Sequence, residues 1–133
     1  MFEGSIRCSL GELCESLRLT PRAIRYYEER GLIESSRDGR NRRRYDARAR
    51  WRLQLIAILR RALLPLPQVE LILECEDGQA RQLELAASAL AAHRQTYERL
   101  CRDVDVNLAE LTRLAPRPRP SLVRPEVRQA ATG

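Results

Sequence analysis

Arg22, Arg25, Tyr26 and Tyr27 all fall within one short stretch, LTPRAIRYYEERGL, residues 19–32. A guanidinium is a permanent cation whose planar fork of donors fits a phosphate or the edge of a guanine, and a tyrosine hydroxyl can donate to a phosphate oxygen. A second set follows directly. Arg37, Arg40, Arg42, Arg43, Arg44, Arg48 and Arg50 stand against only Asp38 and Asp46, a local charge of +5 in a chain whose net charge is +6. All 24 basic residues are arginine, which a GC-rich coding sequence accounts for by itself, so the clustering carries the argument. Placing nearly the whole excess beside a basic, aromatic helix favours a polyanionic partner, and nucleic acid ahead of an anionic membrane surface.

Other chemistry finds little to work with. The 133 residues hold one histidine, no nucleophile motif and no carboxylate pair in a plausible pocket, so an enzyme is not expected. Cys8, Cys14, Cys75 and Cys101 form no CxxC pair and no Cys/His cluster, which argues against a metal site or a disulfide scaffold. No cofactor is implied. With no long apolar run, leader or lipidation motif, a cytoplasmic location is expected, with no membrane contact.

The elements that must hold these residues carry their own punctuation. Ser9 and Glu12 form a capping box ahead of Leu10, Leu13, Cys14 and Leu17, giving a first helix over residues 10–17. Thr20 and Pro21 open a second helix and Gly31 closes it, with Ile24 on its inward face. Two short helices joined by so tight a turn, the second basic, read as a helix-turn-helix. Leu32-Ile33 and Arg44-Tyr45 are expected to pair as a small ribbon around the Asp38-Gly39 turn, a wing holding up five arginines. Asp46 caps a third helix to about Arg61, in which Trp51 is expected to pack on the core in preference to covering the wing, and Val69, Ile72 and Leu73 mark a fourth, with Pro67 in its first turn.

From residue 79 to 114 there is neither glycine nor proline. At about 1.5 Å per residue this is a rod of roughly 54 Å, too long to bury its stripe on so small a head. Leu83, Leu90, Tyr97, Val104 and Leu111 recur every seven residues, and Ala86, His93, Leu100, Asn107 and Leu114 fill the position three further on. That is a heptad seam whose charges cancel, so dimerisation is expected, with His93 and Asn107 as register-fixing polar positions. The chain therefore divides into a lead-in (1–8), a head (9–78), a coiled-coil dimerisation helix (79–114) and a Pro/Arg-rich tail (115–133) expected to be disordered.

Ser9-Leu10-x-Glu12-Leu13, the run TPRAIRYYEERGL, Arg43-Arg44-Tyr45 and Arg52-Leu53 together resemble the head of MerR-type transcription regulators. The resemblance covers about residues 9–73. It implies a mainly α fold: a winged helix-turn-helix head with a small β-wing, then a long helix forming an antiparallel coiled coil with its twin. It also implies roles. Arg22 and Arg25 would enter the major groove, and Tyr26 or Tyr27 would reach a backbone phosphate while the other ring packs inward. Thr20, Arg40, Arg42, Arg43, Arg44 and Tyr45 would hold the flanking DNA. Such proteins bind near-palindromic promoters as dimers and distort the DNA to realign the elements that RNA polymerase reads.

The chain departs from the metal-sensing branch. Arg81 lies near the place of that branch's first cysteine, and no cysteine follows Leu114, so the chain resembles short members lacking the metal loop. Leu63 and Pro65 also replace the family's usual glycine and capping serine. The competing class is a protein-binding adaptor, such as a modulator of a DnaJ-like co-chaperone, using the same type of head on a partner protein. The basic face argues against it. The sequence names no effector and no operator.

Overall fold

The computed structural model describes residues 7–117. In chain order the elements are β1 (Cys8–Ser9), α1 (Leu10–Leu17), α2 (Pro21–Glu29), β2 (Ser36–Arg37), β3 (Arg43–Tyr45), α3 (Ala47–Arg61), α4 (Leu66–Leu73) and α5 (Gln79–Leu114). Helices α1, α2 and α3 begin where short polar side chains satisfy otherwise orphaned amides. Ser9 Oγ accepts from Glu12 N at 3.2 Å, Thr20 Oγ1 from Ala23 N at 3.1 Å and Asp46 Oδ1 from Ala49 N at 2.8 Å. Gly31, at φ 76°, closes α2 in the left-handed region, with the Leu32 amide returning to the Tyr27 carbonyl. At the end of α3 that position is held by Leu63, φ 61°, and α4 starts after Pro65 without a side-chain cap.

Leu13, Ile24, Tyr45, Leu53, Ile56, Leu59, Leu64 and Val69 are fully buried and form the centre of the head. Arg52 ties its layers together by donating Nε to the Leu32 carbonyl beyond α2 and Nη1 to the Leu73 carbonyl at the end of α4.

The sheet corrects two expectations. Its order is β1-β3-β2, antiparallel throughout, with Cys8 opposite Tyr45 and Ser9 opposite Arg44. Cys8 is thus a buried strand residue and not part of a loose lead-in, while residues 1–6 lie outside the described ones. The outer strand is Ser36–Arg37, paired with Arg44 and Arg43; Leu32 and Ile33 belong to the core. The register explains the shift. Pairing Ser36 with Arg44 would set Ile33 opposite Ala47, which is already in α3. The turn runs from Asp38 to Arg42, with Asn41 at φ 60° supplying the left-handed residue of a three-residue hairpin loop.

The described residues divide into two compact units, one ending at Gln95 and the other beginning at Thr96. In the first, α5 packs on the head: Gln82 and Ala86 are buried, and Leu85, Ala89 and Leu90 lie against the core. The head thus takes more of the rod than its length suggested, and Leu90, expected in the dimer seam, is partly covered by its own chain. In the second unit α5 continues to Leu114 with Leu100, Val104, Leu108, Leu111 and Leu114 exposed. The tail beyond residue 117 lies outside the described residues.

Candidate nucleic-acid interface

Helix α2 sorts its side chains by its 3.6-residue period. Ile24 and Tyr27 turn into the core, while Arg22, Arg25 and Tyr26 are exposed. The choice between the tyrosines is therefore settled for packing: Tyr27 is the inward ring and Tyr26, 45% exposed, the outward one. The two rings meet edge to face at 5.6 Å. Arg30, one turn on, lies over Tyr26 at 5.8 Å and donates to its hydroxyl at 3.5 Å. Arg30 is itself held by Glu70 Oε1, at 2.9 Å from Nε and 2.6 Å from Nη2. The bond leaves the Tyr26 proton free to be given to an acceptor. Arg30 was not among the sequence candidates, although its four-residue step from Tyr26 was a readable signal.

Asp38 organises the wing. Its Oδ1 accepts from the amides of Arg40 and Arg42 at 2.9 Å each, and its Oδ2 from Arg44 Nε at 3.1 Å, with Arg42 Nε 3.4 Å away. The Arg42 amide above all, with the Arg40 amide, the Arg44 guanidinium and the Arg42 charge, holds its pKa down to about 2 against partial desolvation. Because the folded pKa lies below the ordinary value of 3.8, the contribution of Asp38 is fully present above about pH 4 and is lost as pH falls through about 2. The amide resonances of Arg40 and Arg42 are expected to shift together with a midpoint near pH 2. Co-titration near 4, or none, would contradict this arrangement.

The wing and α2 meet through Arg43, whose Nε is 3.4 Å from Glu28 Oε2. Arg40 and Arg42 are exposed, and Arg43 and Arg44 half-buried. Thr20 is exposed at the start of α2, its hydroxyl oxygen engaged as the cap.

Tyr45 is a correction. Expected to grip the DNA backbone, it is 0% exposed, packed where β3 pairs with β1. Burial first, and then the charge of Glu28, pushes its pKa up. Its hydroxyl and Glu28 Oε1 are buried without a hydrogen-bond partner in the protein. Tyr45→Phe is therefore expected to leave DNA affinity within about two-fold of wild type and stability lowered by no more than about 1 kcal/mol. Titration of a labelled duplex and a thermal melt check this; a ten-fold loss of affinity with an unchanged melt would restore the phosphate role.

Among the described residues no cluster of three His, Cys, Asp or Glu side chains could hold a metal ion. The cysteines are unpaired, Cys8 buried, Cys14 and Cys75 half-buried and Cys101 exposed. No helix in the described residues is long and apolar enough to cross a membrane.

Residues 8–75 match the model of the MerR HTH family of regulatory proteins, which spans just over half of the chain. The chain belongs to the MerR family. It is accordingly a DNA-binding transcription regulator and not an enzyme. The crystal structure of the HTH-type transcriptional regulator SkgA from Caulobacter crescentus is 24% identical, with 97% of this chain and 96% of that one covered and a TM-score of 0.55. A MerR-family regulator from Bacillus thuringiensis is 18% identical over 81% of this chain and 96% of that one, with a TM-score of 0.53. Both share the fold. Among curated proteins, none matches the chain. Within the MerR pattern, the structure shows how this chain manages without the usual glycine between α3 and α4. Leu63 adopts the left-handed conformation itself, 70% exposed, and the Leu64 amide closes the turn on the Leu59 carbonyl at 3.1 Å.

Proposed function

We propose that this MerR-family chain is a homodimeric, sequence-specific regulator that binds double-stranded promoter DNA in the cytoplasm. Each head places α2 in the major groove, where Arg25 and Arg22 read base edges or phosphate and Tyr26 donates to the backbone. Thr20, Arg40, Arg42, Arg43 and Arg44 grip the flanking phosphates. The dimer forms through the α5 seam, with Leu83, Tyr97, Val104 and Leu111 as exposed or half-exposed members. It acts on RNA polymerase indirectly, by distorting the promoter so that its two elements come into line. In this reading α5 (79–114) is the dimerisation element that follows the head (9–78).

The observation that carries this reading is the adjacency of two basic surfaces. The exposed Arg22, Arg25 and Tyr26 of α2 stand beside the arginine hairpin, joined to it by Glu28 and Arg43 at 3.4 Å. An adaptor that docks on a protein has no evident use for that many cations on one hairpin and helix. The test is competition between the duplex upstream of the chain's own gene and a random duplex of equal length at one salt concentration. A preference of about a thousand-fold or more is expected. Equal affinity, with one protein recovered stoichiometrically in a pull-down, would replace this reading with the adaptor.

A further inference from the structure

Apart from tyrosines and cysteines, Gln82 is the one polar residue among the described residues that is buried, at 7% exposure. Three of its hydrogen-bonding positions are used inside the head. Its Oε1 accepts from Trp51 Nε1 at 2.8 Å, and its Nε2 donates to the Cys75 carbonyl at 3.0 Å and to the Leu73 carbonyl at 3.4 Å. One amide therefore joins α3, the end of α4 and the first turn of α5. Trp51, half-buried against the core, is the chain's single tryptophan.

For the Trp51–Gln82 pair, stability alone does not explain a glutamine, because replacing both partners of a buried hydrogen bond by apolar groups of similar shape is often close to neutral. The difference lies in direction. Apolar contacts such as those of Ala86, Leu85, Ala89 and Leu90 tolerate a small slide or rotation of a helix. Hydrogen bonds to a fixed indole and two fixed carbonyls do not.

We propose that Gln82, held by Trp51, is a positioning residue that fixes the direction in which α5 leaves the head, and through it the half-site spacing that the dimer accepts. This rests on the dimeric DNA-binding reading above. In a dimer joined through α5, an angular change at the start of the helix becomes a displacement of the second reading helix. A swing of roughly 10° over a lever of about 30 Å moves its end about 5 Å, more than the rise of one base pair at about 3.4 Å.

The test selects from a library of random-sequence duplexes with the full chain and two variants. In Gln82→Leu/Trp51→Phe the indole donor and its amide acceptor leave together; Trp51→Phe alone is the milder change. Wild type is expected to enrich one half-site spacing. The double variant, folded by circular dichroism and dimeric by sedimentation, is expected to enrich about three or more spacings. Its affinity for an isolated half-site stays within about two-fold of wild type. Trp51→Phe falls between, and decides on the same criterion if the double variant does not fold. A single unchanged spacing in the folded variants would overturn the proposal and leave the DNA reading intact. No enrichment by wild type would overturn the dimeric reading itself, and the proposal with it.

Discussion

Arg25→Ala is expected to lower affinity for the specific site by about 1–3 kcal/mol, roughly 5- to 150-fold, and to broaden base preference at one position of each half-site. Arg25 is exposed on α2 one residue after Ile24, which is fully buried, so the backbone at this point is anchored by the core while the guanidinium faces outward. A rigidly mounted fork of donors can discriminate a guanine edge; a mobile one would give only charge. Arg42 supplies the contrast. It is exposed on the wing, and Arg42→Ala is expected to weaken specific and random duplexes about equally and to reduce the salt slope by about one. Binding isotherms for both duplexes at several salt concentrations separate the two behaviours. An Arg25→Ala loss equal on both duplexes would reduce Arg25 to a phosphate contact.

The second large effect concerns the rod. Val104→Asp/Leu111→Asp is expected to give a monomer by sedimentation equilibrium and to cost on the order of a hundred-fold or more in affinity for the full site, since the second head no longer binds as a tethered partner. These positions are chosen because they are 45% and 64% exposed in the second unit. Leu90 would be a poorer choice. It lies against the head core, so an aspartate there would damage the head as well as the seam. A double variant that remained dimeric would show that other residues make the dimer.

Helices α1, α2 and α3 were legible in the sequence because their ends are announced locally. The capping hydroxyls of Ser9 and Thr20, the Asp46 carboxylate and the left-handed Gly31 act within three or four residues of where they stand. The strands were not, since a two-residue strand has no period and exists only through a distant partner. Cys8–Ser9 becomes a strand because β3 lies beside it, which no local pattern reveals. Leu32-Ile33 misled for a related reason: adjacent apolar residues serve equally well in a strand or in a core. Tyr45, next to an arginine run, looked like part of the grip, but its place opposite Cys8 carries its ring inward. The heptad of α5 showed that an apolar stripe exists without showing what covers it, and at Ala86 and Leu90 the cover is the chain's own head. Of the site, the basic members of α2 were readable from type and spacing. The fixed geometry around them was less so, because Arg30 with Glu70 and Asp38 with the wing amides are contacts across turns and between elements.

The central claim, that two α2 helices of a dimer read two half-sites, is tested most directly by a hydroxyl-radical footprint on the duplex upstream of the chain's own gene, with wild type and Arg25→Ala side by side. Two protected patches related by a dyad are expected for wild type, both fading in the variant at a concentration that saturates wild type. A single patch, or uniform protection unchanged by Arg25→Ala, would contradict it.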